Sequence, residues 1–454
     1  MSTLLPPVEI ATLQALRSPA ANPMQAARER MHASGQWSPR QLAGRRWNIA
    51  CVSLEITQRC NLDCTLCYLS DSAEAVRDFP MEEIFRRIDL IHAHYGANTD
   101  VQISGGEPTL RKPAELVAIV QKLAGLGMRS ALFTNGIKAS RALLAELAQA
   151  GLTDVAFHVD STQQRAGYAS EAALNALRLE YIERARGLPL AVFFNTTVHD
   201  GNWADVPMLA AFFVVQAEVV RFCSFQLQAD TGRGVQGARA DAITHDGIWQ
   251  RIAQGAGTPL RTNVLQAGHH DCNRNAVTLV VNGRARDVFA DSAFVQRFMR
   301  ETANLHFPRS SRGKGLRALL AAGFSRPRLA LHSLRWLARQ LWLARSDLWS
   351  ARGKAYKLTF FTHNFMDACQ LQQERLDACV FMAMTQDGPL SMCAYNARRD
   401  NFLLQALPTS QGLWQPLVQG AGAVHTFPVK LLKGRRRAER AAQGAVQTTA
   451  ESTA

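Results

Sequence analysis

The sequence lacks any run of about 18 uncharged apolar residues, the length that a membrane-spanning helix requires. The opening stretch, MSTLLPPVEIATLQALRSPA, has no basic segment ahead of an apolar run, so it does not resemble a secretion signal. We therefore expect a cytoplasmic protein whose cysteines stay reduced. The odd number of cysteines, nine, also argues against a disulfide framework and favours metal-binding or reactive thiols.

Acidic residues are scarce in two segments, and these segments account for the net charge of +14. Residues 301–357 hold twelve lysines and arginines against Glu301 and Asp347, and residues 428–440 hold six against Glu439. The rest of the chain is close to neutral. No recognised RNA- or DNA-binding motif accompanies the basic segments, so we expect no nucleic-acid partner.

Short runs of β-branched and aromatic residues alternate with helical patterns from about residue 50. The apolar residues of 81–91 and 116–123 have helical spacing, and Gly127 is a plausible end of the second helix. Such alternation predicts a parallel sheet with right-handed crossovers, an α/β fold of the partial (β/α)6 barrel type. The six predicted strands are 52–57, 100–104, 130–134, 154–159, 190–197 and 218–225.

The same patterns predict four parts of the chain. Residues 1–45 form a helical N-terminal extension, and residues 46–232 form the α/β core. Residues 233–425 form a C-terminal module that contains cysteines and a basic, Trp-rich stretch. Residues 426–454 form a basic, partly disordered tail.

Three cysteines, Cys60, Cys64 and Cys67, lie in the loop after the first predicted strand. In a parallel α/β barrel the loops at the carboxyl ends of the strands carry the chemistry. This loop lacks the fourth Cys or His that a zinc site or a fully ligated [4Fe-4S] cluster would need. Three thiolates would instead leave one iron of a cluster open to a ligand. An incomplete zinc site and incidental loop cysteines are the alternatives.

Polar residues and glycines follow the next strands at the same predicted edge. Gly105 and Gly106 would let a ligand approach the backbone, and Glu107 would accept a hydrogen bond from an ammonium group. Taken singly, polar residues at such positions more often cap strand ends. The candidates after strands three to five are Thr134, Asn135, Asp160, Ser161 and Asn195.

The spacing C-x3-C-x2-C followed by an aromatic residue, Tyr68, resembles the signature of the radical S-adenosylmethionine (SAM) superfamily. The resemblance implies that Cys60, Cys64 and Cys67 hold a [4Fe-4S] cluster whose open iron binds SAM. One electron then cleaves SAM to a 5′-deoxyadenosyl radical, so a low-potential donor of flavodoxin or ferredoxin type is implied. The segment Gly105–Glu107 matches the family motif that holds the SAM amino group, and the polar residues after the later strands are implied to face SAM.

Longer segments resemble a narrower group, the tetraether lipid synthases and their bacterial relatives. They are GRRWNIACVSLEITQRCNLDCTLCYLS, SFQLQADTGRG, HNFMDA and DGPLSMCAYN. This resemblance implies hydrogen abstraction from a lipid or other long apolar chain and carbon to carbon bond formation. The chain departs from the archaeal members in having no cysteine before Cys51, and the stretch ACQLQQERL is divergent.

Four cysteines beyond the core would complete an auxiliary [4Fe-4S] cluster, although free cysteines are also commonly buried core residues. The resemblance favours Cys272, Cys379 and Cys393, which gather near the later family motifs, over Cys369. Cys51 and Cys223 lie in or beside strands, and we expect them in the core. The auxiliary candidates are Cys272, Cys369, Cys379 and Cys393.

The stretch 328–349 combines leucines at heptad-like spacing, including Leu334, Leu337 and Leu341, with arginines and tryptophans. Such a segment suits a membrane interface, which predicts a peripheral position at the inner membrane face. The alternative is a helix that packs its leucines on the barrel.

Three functions remain open. The protein is a radical SAM enzyme acting on a lipid or other apolar chain, a radical SAM enzyme modifying a peptide or small metabolite, or a metal-stabilised binding protein without turnover.

Overall fold

The computed structural model of the protein describes residues 4–305 and 323–417, together with residues 317, 320 and 321. The predicted tail, 426–454, lies outside the described residues, as does part of the basic segment 301–357.

Eleven strands of the described chain form one sheet, and all six predicted strands are among them, each within two residues of its predicted bounds. The sheet order is β11-β10-β1-β2-β3-β4-β5-β6-β9-β7-β8, and β12 pairs with β13 separately. The strands are β1 (Cys51–Thr57), β2 (Asp100–Gly105), β3 (Arg129–Thr134), β4 (Asp154–His158), β5 (Ala191–Val198), β6 (Val220–Leu227), β7 (Asn273–Val281), β8 (Arg284–Asp287), β9 (Ala355–Asn364), β10 (Phe381–Thr385), β11 (Gly388–Ser391), β12 (Leu407–Thr409) and β13 (Gly412–Trp414).

Helices lie between the strands, and their apolar faces form much of the core. In the second predicted helix the chain leaves the helix at Gly125, and Gly127 follows with a φ of +70°. This left-handed conformation favours glycine and confirms the predicted end. The helices are α1 (Pro7–Thr12), α2 (Pro23–Ala33), α3 (Met81–Tyr95), α4 (Pro113–Gly125), α5 (Arg141–Ala150), α6 (Glu171–Ala185), α7 (Val206–Val215), α8 (His245–Ala256), α9 (Ser292–Glu301), α10 (Pro327–Leu343), α11 (Arg345–Ser350), α12 (Gln373–Asp377), α13 (Met392–Ala397) and α14 (Arg399–Leu403).

Strands β1 to β6 are parallel neighbours in chain order, as predicted. Two strands from the C-terminal part extend this parallel set: β9 pairs with β6, and β10 pairs with β1. The predicted boundary at residue 232 therefore falls between strands that share one sheet. The division of the chain into domains stays a prediction.

The sheet curves until strands from its two halves meet. His363 of β9 contacts Phe381 of β10 with ring centroids 4.4 Å apart, and Phe361 lies 6.3 Å from the same ring. We call this contact the seam. The predicted α/β fold with a parallel, partly closed barrel is confirmed.

Among the described residues, no helix has both the length and the apolar character that crossing a bilayer would require.

Candidate active site at the carboxyl ends of the parallel strands

The three clustered cysteines lie together in the loop that follows β1, each half-buried. Burial raises the pKa of the Cys60 thiol to about 11, and the negative charges of Cys67 and Glu107 add to this effect. Burial and the charges of Cys67 and Cys60 raise the pKa of Cys64 well above its ordinary value. The three thiols are thus close enough to repel one another when ionised. Metal binding offsets such repulsion and deprotonates thiols, so this donor set fits a cluster held by three thiolates.

A buried cation stands beside these thiols. Burial acts to lower the pKa of Arg233, but the charges of Cys67 and Glu74 raise it above its ordinary value. The guanidinium donates to Glu74 Oε1 over 2.9 Å. Arg233 would therefore offset negative charge on a cluster bound to the three thiolates.

The segment TGRGVQ (231–236), which carries Arg233, is bound to the cysteine loop through its backbone. The Arg233 N–H donates to the Leu69 carbonyl over 2.7 Å, and the Val235 N–H donates to the Thr65 carbonyl over 2.8 Å. Gly232 has a φ of +62°, and a Cβ there would lie 2.4 Å from Tyr68 backbone atoms. No role for Arg233 was predicted from the sequence, although the quoted segment SFQLQADTGRG contains it between two glycines.

Gly105 and Gly106 are required because the end of β2 runs against the start of the cysteine loop. A Cβ on Gly105 would lie 2.1 Å from the Thr57 carbonyl oxygen, and one on Gly106 would lie 2.2 Å from that of Arg59. Gly105 also has a φ of +119°. The Tyr68 hydroxyl donates to the Gly105 carbonyl over 2.6 Å, which joins the last part of the loop to β2.

Glu107 links the ends of β2 and β3. Its carboxylate accepts from the backbone and hydroxyl of Thr109, from Thr134 Oγ1 over 2.7 Å and from the Asn135 N–H over 2.7 Å. Asn135 in turn donates through Nδ2 to Asn61 Oδ1 in the cysteine loop over 2.7 Å. The geometry thus gives Glu107 a positioning role. Its predicted contact with SAM stays a prediction.

Asp160 is fully buried after β4. Burial acts to raise its pKa, but the adjacent His158, the Thr162 hydroxyl and the Thr197 N–H lower it below the usual aspartate range. The Thr65 N–H donates to the Thr162 carbonyl over 2.9 Å, so the end of β4 contacts the cysteine loop. Asp160 therefore carries negative charge close to the thiols, and this charge contributes to the raised pKa of Cys64.

Ser161 and Asn195 lie at the same edge. The Ser161 hydroxyl pairs with His199 Nε2 over 3.0 Å, and half-buried Asn195 lies opposite His158 in the β4–β5 register. The structure thus places the other predicted rim residues at the carboxyl ends of β2 to β4, and Asn195 inside β5, level with the end of β4. Their contacts with SAM stay predictions.

Glu55 and Arg399 form a buried ion pair that the sequence analysis missed. The Tyr395 hydroxyl donates to Glu55 over 2.9 Å, and the Arg399 guanidinium carbon lies 4.7 Å from the ring centre of Tyr68. Arg399 thereby supports the aromatic residue that ends the cysteine motif. A single glutamate within the apolar strand VSLEIT was the only sequence signal.

A second group of thiols lies near the seam. Burial raises the pKa of Cys379 to about 11 and that of Cys393 to about 12, and in both the charge of Cys272 acts in the same direction. The Arg375 Nε donates to Cys272 Sγ over 3.2 Å. Three of the four predicted auxiliary ligands therefore lie together beside an arginine. Cys369 is exposed.

Cys51 and Cys223 are both buried core residues, as predicted, and Cys223 belongs to the main hydrophobic cluster.

Residues 54–213 match the family model "Radical SAM superfamily". The chain is 33% identical to the PqqA peptide cyclase of Xanthomonas euvesicatoria over 180 residues, 38% of this chain and 47% of the relative. It is 27% identical to the 7,8-dihydro-6-hydroxymethylpterin dimethyltransferase of Methanocaldococcus jannaschii over 188 residues, 40% of this chain and 37% of the relative. The chain thus spans less than half the length of these relatives.

Solved structures match over similar shares. The crystal structure of Streptococcus suis SuiB matches with 13% identity and a TM-score of 0.34, covering 46% of each chain. The structure of anSMEcpe with bound AdoMet matches with 16% identity and a TM-score of 0.32, covering 40% of this chain and 51% of the other. The family model thus assigns residues 54–213 of this chain to the radical SAM superfamily.

Proposed function

We propose that this protein is a radical SAM enzyme that abstracts a hydrogen atom from an unactivated carbon. The observation that carries the proposal is the group of three half-buried cysteines in the loop after β1, with the Arg233 segment hydrogen-bonded to that loop at the carboxyl edge of the parallel strands. A [4Fe-4S] cluster held there would supply the electron that cleaves bound SAM to methionine, and the released deoxyadenosyl group would leave with the substrate hydrogen as 5′-deoxyadenosine.

The side chains at this edge have different proposed roles. Cys60, Cys64 and Cys67 would hold the cluster, and Arg233 would offset its negative charge. The ends of β2 to β5 form the rim that binds SAM and excludes water from the reacting carbon. The proposed SAM-binding residues are Tyr68, Gly105, Gly106, Glu107, Thr134, Asn135, Asp160, Ser161 and Asn195.

The test is SAM cleavage by the full chain, reconstituted anaerobically with iron and sulfide and reduced with dithionite. We expect 5′-deoxyadenosine from the wild type and none from Cys60→Ala, Cys64→Ala or Cys67→Ala. Cys223→Ala is the matched control, because that thiol lies in the core, and it should retain cleavage. Iron binding without cleavage in the wild type would favour the metal-stabilised binding protein.

We further propose that Cys272, Cys379 and Cys393 hold an auxiliary iron-sulfur cluster. Their proximity, by which each would raise the pKa of its neighbour, and the hydrogen bond from Arg375 Nε to Cys272 Sγ support this proposal. Two [4Fe-4S] clusters would give about eight iron atoms per chain. Cys379→Ala should lower the iron content by about half, to a single cluster. Cys369→Ser tests whether the exposed thiol supplies the fourth ligand of this cluster. If it does, this variant should also bind less iron than the wild type.

For the substrate we propose a lipid or other long apolar chain, supported by the resemblance to tetraether lipid synthases and by the exposed apolar face of α10. The 33% identity to a peptide cyclase favours a peptide as the second candidate. Mass spectrometry of lipid extracts from a deletion strain and its parent separates the two. Unchanged lipids would favour the peptide as substrate. Carbon to carbon bond formation would be visible in the parent strain as a lipid in which two chains are joined. A flavodoxin or ferredoxin is the proposed electron donor.

A further inference from the structure

Helix α10 (Pro327–Leu343) packs one face against the rest of the protein. Leu329 on this face is buried, and the indole of Trp336 stacks on Phe294 of α9 with ring centroids 5.3 Å apart. These contacts fix which sides of the helix face outward.

A row of leucines lies on the outward side. Their spacing of three, three and four residues places them on one stripe of the helix. A single exposed leucine is ordinary on a protein surface, but a continuous apolar stripe marks an interaction surface. The alternative in which these leucines pack on the barrel is wrong for the described residues. The exposed fractions are 49% for Leu331, 64% for Leu334, 47% for Leu337 and 49% for Leu341.

Cations and indoles border this stripe. Arg328, Arg335 and Arg339 share the adjacent side of the helix and are exposed. The Trp342 ring is 61% exposed, with the Arg345 guanidinium 4.5 Å from its centre. The sequence has no acidic residue between Glu301 and Asp347, and Asp347 is buried against Arg286. The face is therefore apolar and positively charged, and residues 302–346 supply no carboxylate to compensate its arginines.

We propose that this outer face of α10 docks on a bilayer surface that carries anionic headgroups. The leucine stripe would lie among the acyl chains, the indoles at headgroup depth and the arginines against phosphate groups. This binding surface goes beyond the proposed catalysis and does not depend on it.

The charge pattern distinguishes a bilayer from other occupants. A second copy docked through the same face would set arginine rows near each other with no acidic residue between them. A nucleic acid would satisfy the arginines but would leave the leucine stripe in contact with water. An anionic bilayer offers phosphate groups to the arginines and acyl chains to the leucine stripe.

The experiment is cosedimentation of the full chain with phosphatidylcholine vesicles and with vesicles containing about 30% phosphatidylglycerol. We expect binding to the anionic vesicles and weak binding to the neutral ones. Leu334→Gln/Leu341→Gln and Arg335→Gln/Arg339→Gln should each lower the partition coefficient about tenfold or more. Val215→Gln/Leu413→Gln is the matched control, because these exposed apolar residues lie outside α10.

Absence of wild-type binding to anionic vesicles would overturn the proposal, and so would leucine variants that bind like the wild type. Light scattering without vesicles tests whether a second copy of the chain covers this face. A wild-type dimer that dissociates in the leucine variants would also overturn the proposal. Leu334→Ala/Leu341→Ala replaces the Gln variant if the thermal midpoint of the latter falls. SAM cleavage in vesicle-free solution should be unchanged in all these variants, so failure of docking and failure of catalysis are distinguishable.

Discussion

At the scale of single residues, two arginines occupy similar chemical positions in distant parts of the chain. Arg233 lies beside Cys60, Cys64 and Cys67, and Arg375 lies beside Cys272 and Cys393. Each positive charge lowers the pKa of its neighbouring thiols and so opposes the effect of burial.

Arg233→Met in the metal-free protein removes one such charge, and the pKa of Cys60 and Cys64 should rise further. Because the thiolate is the reactive form, alkylation of these cysteines by iodoacetamide at fixed alkaline pH should slow by up to about tenfold, corresponding to one pKa unit. Peptide mapping by mass spectrometry measures the rate at each cysteine.

Arg375→Met is the matched control. It should slow alkylation of Cys272 and Cys393 and leave that of Cys60 unchanged. Equal slowing at all four of these cysteines by either variant would contradict the pairing of each arginine with its own thiol group.

The buried pair of Glu55 and Arg399 makes a second prediction at this scale. Arg399→Met leaves the Glu55 carboxylate buried without its cation, which should lower the free energy of unfolding by about 3–5 kcal/mol. The double variant Glu55→Gln/Arg399→Met should recover much of this loss. Denaturant unfolding of Glu55→Gln, Arg399→Met and the double variant measures the loss, and additive losses would show that the two side chains act independently.

At the scale of elements, the position of the cysteine loop depends on how closely the end of β2 approaches it. Gly106→Ala would place a methyl group 2.2 Å from the Arg59 carbonyl oxygen, which requires the loop to move. We expect the reconstituted variant to lose most of the iron bound by the first thiol group and to lose about 1–3 kcal/mol of stability.

Gly125→Ala is the control for this substitution. Gly125 ends α4, and a Cβ there meets nothing within 4 Å. Alanine is the better helix former, so this variant should keep its iron and gain up to about 1 kcal/mol. Full iron retention in Gly106→Ala would show that the loop tolerates displacement from β2.

At the scale of the whole molecule, strands from the C-terminal part cover both edges of the six-stranded parallel set. β10 pairs with β1, and β9 pairs with β6. Uncovered strand edges promote association. Parallel strands are also typically buried on both faces. We therefore expect the core formed by β1 to β6 to need the C-terminal part of the chain for its stability.

A fragment of residues 1–232 should therefore fail to remain a soluble monomer, whereas the full chain under the same conditions should elute as a compact species. Size-exclusion chromatography compares the two. A monomeric, folded fragment would show that the predicted core, 46–232, is an independent domain.

The sequence by itself determined the features that depend on neighbours along the chain. Runs of β-branched and aromatic residues predicted β1 to β6 within two residues, and the three-cysteine spacing after β1 predicted the superfamily whose model matches residues 54–213. Strand propensity, helical spacing and a loop motif are local properties, so they can be read without the fold.

Only the tertiary structure decided which distant residues meet. It brought Cys272 and Cys379 together near the seam, placed Arg233 and Arg399 beside the cysteine loop, and turned the leucines of α10 outward. These outcomes depend on packing between segments far apart in the chain. A local sequence pattern does not predict such contacts, because they form only when the sheet is curved and the C-terminal strands lie along its edges.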